Sequence, residues 1–101
     1  MSGLSQNSGD FLYELEKIIQ SRKSEDPSKS YTSSLLNGSL TKILQKVGEE
    51  SVEYILEATG TDRGRIISEA SDLIYHFLVS LQAQGFYLQD ISQELRKRHE
   101  K

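Results

Sequence analysis

The chain has 101 residues, a formal net charge of −3 and an apolar fraction of 36%, with a mean hydropathy of −0.52; that suits one domain with a lean core. It has no cysteine, which excludes a disulfide framework and thiolate-held metal, the acidic balance argues against a nucleic-acid scaffold, and no apolar run approaches the roughly 18 residues of a membrane span. The start, MSGLSQNSGD, lacks the basic and apolar regions of a signal peptide, so a soluble cytoplasmic domain is expected, helped by oligomerisation.

Residues 1–9 are rich in Ser, Gly, Asn and Gln and read as a disordered N-terminal segment ahead of a single domain over 10–101. Asp10 is placed to cap a first helix, with Leu12, Leu15, Ile18 and Ile19 at helical spacing. The only proline, Pro27, predicts that this helix fails near Ser24 and that SEDPSKS is a loop. Ser30 or Thr32 starts a short helical turn, closed by a left-handed cap at Asn37-Gly38. Ser39 opens a long helix to about Thr59, with Leu40, Ile43, Leu44, Val47, Ser51, Tyr54, Ile55 and Ala58 as its buried stripe; Gly60 ends it. Asp62 caps a third long helix over roughly 63–84, which Gly85 stops. A last helix covers about 87–99 and finishes in a solvated end, Arg96, Lys97, Arg98 and His99. No stretch alternates as a half-buried strand does. The fold class is all-α: a helical bundle of four to five helices with short connections.

Lys42, Lys46, Glu49, Glu53 and Glu57 share one face of the helix that starts at Ser39, opposite its apolar stripe, with Glu50 beside them. The bland reading is a solvated face, but the pattern opposes stability. Lys42 and Lys46 are like charges four residues apart, as are Glu49 and Glu53, and Glu53 and Glu57. Each such pair costs on the order of 0.2–0.5 kcal/mol. The lysines also lie toward the helix N-terminus and the glutamates toward the C-terminus, against the macrodipole. Concentrated carboxylate makes sense where a divalent cation neutralises it.

On the next helix, Ile66, Ile67, Ala70, Leu73, Ile74, Phe77, Leu78 and Leu81 leave little polar girth. Such a helix is central and packed on several sides. Glu69 and Asp72 share a face, and His76 follows four residues later. Buried carboxylates are paired or hold metal. Salt bridges to a neighbouring helix are the plain alternative for these two acids alone. Joined with Glu50 and Glu53 they form an oxygen-rich set suited to a hard cation, Mg²⁺ or Mn²⁺. Iron is less suited, because His76 has no Glu three residues before it.

The string Glu49-Glu50-Ser51-Val52-Glu53, then fifteen residues, then Glu69-Ala70-Ser71-Asp72 resembles the EExxE…ExxD signature of the all-α nucleoside triphosphate pyrophosphohydrolases. KILQKVGEESVE (42–53) and EASDLIYHFLV (69–79) are similar to the corresponding segments of the phosphoribosyl-ATP pyrophosphohydrolase family of histidine biosynthesis. LEKIIQSRK (15–23), SYTSSLL (30–36) and ISQELRKRH (91–99) carry the likeness across residues 11 to 99. The length resembles the stand-alone form rather than the fusion with the cyclohydrolase. The resemblance implies Mg²⁺-dependent hydrolysis of phosphoribosyl-ATP to phosphoribosyl-AMP and pyrophosphate, by homodimers whose helices interleave.

Under that resemblance Glu50, Glu53, Glu69 and Asp72 are the expected metal ligands, and Glu49 positions water, acts as base or serves a second metal. Lys42 and Lys46, up to two turns upstream, are expected to meet phosphate oxygens of the nucleotide substrate. Arg22 and Lys23, at the end of the first helix, are candidates for the same task. Tyr31 and Thr32 lie at a helix start whose N–H groups can bind phosphate. His76 is either a substrate contact or a buried hydrogen-bonding residue. The rival readings are a house-cleaning pyrophosphohydrolase acting on dUTP or non-standard triphosphates, and a non-catalytic helical dimerisation module. The helix that is apolar nearly all round is expected to meet a second copy through Phe77, Leu78 and Leu81.

Overall fold

A computed structural model describes residues 8–100, with side chains from Phe11 onward. It contains five helices, α1 (Ser8–Arg22), α2 (Tyr31–Leu36), α3 (Leu40–Ala58), α4 (Arg63–Gln84) and α5 (Leu88–His99), and no strand among the described residues. No helix among them is long and apolar enough to cross a membrane.

Local chemistry sets most helix ends. Ser39 Oγ accepts from the Lys42 N–H at 3.2 Å, and Asp62 Oδ1 from the Arg65 N–H at 3.1 Å. Ser30 caps α2 through the Ser33 N–H. Gly85 closes α4 at φ +81°, a conformation that costs a side-chain-bearing residue energy and costs glycine none. Two expected ends differ. Asp10 lies inside α1, which begins at Ser8; residues 1–7 of the expected disordered segment lie outside the described residues. Asn37 sits at φ −94°, not in the left-handed region. Its amide instead donates to the carbonyls of Lys23 and Ser33, each at 3.0 Å, and so ties the end of α1 to the end of α2. The adjoining turn is tight: a Cβ on Gly38 would come within 3.1 Å of the Ser34 carbonyl oxygen.

α4 packs against α1, α2 and above all α3. The buried core is small: Ile19, Leu35, Leu36, Ile43, Leu78, Val79 and Leu81, flanked by Leu15, Tyr75, Leu88 and Ile91. The last helix is pinned by a remote acid, since Glu16 of α1 accepts from the Leu88 N–H at 2.6 Å. That contact satisfies a first-turn donor that α5 cannot satisfy itself.

The buried face of α3 is not the expected stripe. Ile43 is fully buried, and Val47, Ser51 and Tyr54 are partly buried; Leu40, Leu44, Ile55 and Ala58 are exposed. α3 carries apolar residues on two sides, and α4 covers only one. The covered side includes Glu50, only 7% exposed and two turns from Ile43, so the acid lies within the packed face rather than beside a solvated one. Leu78 and Leu81 are likewise consumed by this chain's own core, which corrects their expected place at a surface between copies. Phe77 remains 39% exposed.

Candidate active site

The short turn after Thr59 sends α4 back along α3. Near that turn Arg65 reaches Glu57 at 2.8 Å. Further along, Glu50 of α3 meets Glu69 and Asp72 of α4, three carboxylates whose ligating oxygens lie within 4.8 Å of one another. Among the described residues no Lys, Arg or His forms a salt bridge with Glu69, so the salt-bridge alternative fails for this acid. Its Oε1 is buried with no hydrogen-bond partner. Burial first, then the charges of Glu53, Asp72, Glu50 and Glu57, raise the Glu69 carboxyl above its ordinary value. An orphaned carboxylate oxygen among like charges is costly unless a cation completes it. Three convergent hard oxygens fit a divalent ion such as Mg²⁺ in donor type. Glu53 lies on the exposed side of α3, outside this trio but near enough for its charge to act on Glu69.

Beside the acids, a pocket of about 290 Å³ is lined by Tyr31, Ser34, Leu35, Gly38, Ser39, Lys42 and Lys46. Lys46 stands between pocket and acids, 3.6 Å from Glu50 and 3.5 Å from Glu49. Burial works against its charge, but Tyr31, Glu49 and Glu50 outweigh it and hold the ammonium above its ordinary pKa. Lys42 forms no ion pair among the described residues. Glu49 is exposed, with its second oxygen 3.1 Å from the donating Gln45 amide.

The other expected contacts are more scattered. Arg22 pairs with Glu25 at 2.7 Å, and neither it nor Lys23 lines the pocket. Thr32 is buried, its hydroxyl against that of Tyr75. His76 is buried with both ring nitrogens engaged, by Tyr31 and by the Asp72 carbonyl. Ser34, Gly38 and Ser39 are not among the site residues expected from the sequence, which reads Gly38 and Ser39 only as helix-end residues. The available signal was the run of small residues joining SYTSSLL to the lysines, which lets the chain turn tightly over the pocket.

Comparison with known proteins decides the lineage. The model of the family described as phosphoribosyl-ATP pyrophosphohydrolase matches residues 12–99. The chain belongs to that family. Within the phosphoribosyl-ATP pyrophosphohydrolase family, it is 52% identical over 90 residues to the histidine biosynthesis bifunctional protein of Escherichia coli strain K12, covering 89% of this chain and 44% of that protein. The bifunctional protein of Yersinia pestis is 52% identical over 91 residues, 90% of this chain and 45% of that protein. That of Photobacterium profundum is 47% identical over 91 residues, 90% and 44% respectively. The chain therefore spans less than half the length of these curated relatives.

The raised Glu69 carboxyl gives a signed prediction about stability. Its folded pKa exceeds its unfolded one. The folded state therefore loses stability as pH rises through the unfolded value, and the loss is complete above the folded value. At pH 7, metal-free Glu69→Gln should melt at or above the wild-type temperature, and the two should converge in acid. Mg²⁺ should then raise the wild-type melting temperature more than that of the variant. Calorimetry with chelator, then with added metal, checks this. A variant that melts clearly below wild type at pH 7 would make Glu69 a structural partner instead.

Proposed function

We propose that the chain hydrolyses phosphoribosyl-ATP to phosphoribosyl-AMP and pyrophosphate with Mg²⁺, the second step of histidine biosynthesis, as a cytoplasmic homodimer. The observation that carries this reading is the orphaned Glu69 Oε1 between Glu50 and Asp72, in a member of this family. Cleavage of the α–β phosphoanhydride replaces the bridging P–O bond with a bond to a water oxygen, and pyrophosphate leaves. Bound Mg²⁺, or Mn²⁺, would neutralise phosphate charge and acidify a water.

Glu50, Glu69 and Asp72 would hold the ion, with Glu53 completing the set from the solvent side. Lys46 and Lys42 would bind phosphate oxygens along the pocket wall, where charge-assisted hydrogen bonds fix the chain in line. Glu49, one residue from Glu50 and tethered by Gln45 and Lys46, would orient the attacking water. Arg22 and Lys23 would reach only the far end of an extended substrate. Side-by-side assays of pyrophosphate release from phosphoribosyl-ATP and from a dNTP panel including dUTP, with and without Mg²⁺, test the proposal. Faster turnover of a dNTP would replace it with the house-cleaning activity. No turnover at all would leave the dimerisation module.

The dimer reading rests on apolar surface. Leu44, Val52, Ile55 and Leu56 of α3 and Ile67, Ile74 and Phe77 of α4 are all at least 39% exposed. Gly48 sits among the α3 residues, and apart from its chain neighbours and the nearby backbone of its own helix no atom of the described residues lies within 4 Å of where its Cβ would be. A glycine inside a helix costs roughly 0.5–1 kcal/mol relative to alanine. Packing within one chain gives no reason for it, whereas close approach of a second helix does.

A further inference from the structure

His76 is 6% exposed and forms no salt bridge among the described residues, yet both of its ring nitrogens are committed. Nδ1 lies 2.8 Å from the backbone carbonyl oxygen of Asp72. A carbonyl only accepts, so Nδ1 carries the proton. In the neutral ring Nε2 is then an acceptor. The group facing it, at 2.8 Å, is the Tyr31 hydroxyl, which must donate. The two rings meet edge to face, with centroids 5.8 Å apart. Tyr75 also meets the imidazole edge to face, with centroids 5.1 Å apart, which leaves the buried ring little freedom to turn.

Tyr31 is the opposite case, 53% exposed and part of the pocket wall shared with Lys42 and Lys46. Once its proton is given to His76, its oxygen offers the pocket only lone pairs. Lys46 lines the same pocket and reaches Glu50 at 3.6 Å. A hydrogen-bonded series thus runs from the Asp72 carbonyl through His76 to the Tyr31 hydroxyl. It ties α4, which carries Glu69 and Asp72, to the start of α2 at the pocket wall.

We infer that His76 is a positioning residue: anchored by the Asp72 carbonyl, it accepts from the Tyr31 hydroxyl and so fixes the Tyr31 ring on the wall of the pocket that Tyr31 shares with Lys42 and Lys46, where the substrate's phosphates bind. The inference rests on the pocket being the nucleotide site proposed above. It concerns substrate binding more than the chemical step, because His76 itself touches no reacting atom.

Two substitutions separate the two nitrogens. His76→Gln places an amide oxygen near the Nε2 position and keeps the acceptor for Tyr31. His76→Asn retains only a donor near Nδ1. His76→Asn should raise KM for phosphoribosyl-ATP about tenfold with kcat within about threefold. Tyr31→Phe should match it, the double variant should be no worse than either single, and His76→Gln should restore most of the loss. Equal damage from Gln and Asn with a common fall in melting temperature would overturn the inference, as would additive effects of the Tyr31 and His76 variants. Two arms stand apart from turnover. Nitrogen-15 NMR of ligand-free protein, at a pH where histidine is neutral, should show His76 protonated at Nδ1 and unprotonated at Nε2; the reverse tautomer overturns the inference. Calorimetry with Mg²⁺-pyrophosphate as the probe should show the same order of variants, and equal affinity across them overturns it. Failure of wild type to hydrolyse phosphoribosyl-ATP while both arms hold would count against the substrate assignment alone.

Discussion

Glu69→Gln, Glu50→Gln and Asp72→Asn are each expected to lower Mg²⁺-dependent pyrophosphate release at least a hundredfold. That corresponds to about 2.7 kcal/mol of barrier. These three acids converge within 4.8 Å, and each amide keeps the shape while removing a charge and a lone-pair donor for the metal. The fold should survive, because in the metal-free chain all three substitutions relieve repulsion around Glu69, and only Glu50→Gln gives up an ion pair, that with Lys46 at 3.6 Å. Glu53→Gln probes the fourth member of the set. Retention of more than about a tenth of the wild-type rate, a barrier change under ~1.4 kcal/mol, would remove Glu53 from the ligands. The same retention for Glu69→Gln would remove the metal reading altogether. Steady-state kinetics over a Mg²⁺ titration, with circular dichroism to verify the fold, make the measurement.

The second large effect concerns assembly. Leu44→Arg together with Ile55→Arg should separate the proposed dimer and lower the melting temperature and activity together. Both positions are exposed in the single chain, so a charge there is harmless to an isolated monomer. In an obligate interface, which buries upward of about 2,000 Å², it is an unpaired buried charge. Gly48→Ala gives an independent reading. In a self-sufficient monomer the change adds helix stability of about 0.5–1 kcal/mol, whereas beneath a second helix it weakens association. Sedimentation at sub-micromolar concentration distinguishes these outcomes. A folded and fully active 11.4 kDa species would show that the apolar surface does not join copies.

Some of this organisation is legible without coordinates. The caps at Ser39 and Asp62, the stop at Gly85 and the five-helix order follow from side-chain-to-backbone bonds and backbone freedom within a single turn. Such interactions need no partner from elsewhere in the chain. The pairing of Glu50 with Glu69 and Asp72 was also within reach, since two helices joined by a short turn must run back along one another.

The faces are another matter. α3 has apolar residues on two sides, and periodicity cannot say which side α4 takes; the structure turns Ile43 and Glu50 inward and leaves Leu44 and Ile55 out. α4 is apolar nearly all round, so only the placement of its neighbours puts Leu78 and Leu81 in the core and Phe77 at the surface. The tie from Asn37 to Lys23, the Glu16 cap on Leu88 and the His76–Tyr31 pair join residues 14, 72 and 45 apart. The sequence determined the helices, most of their ends and the meeting of Glu50 with Glu69 and Asp72, because those depend on interactions within a turn and on the reach of a short connection. The tertiary structure decided which side of each helix is dry, which carboxylate oxygen is left without a partner and which ring nitrogen meets the Tyr31 hydroxyl, because each of these depends on what the rest of the chain brings against that side.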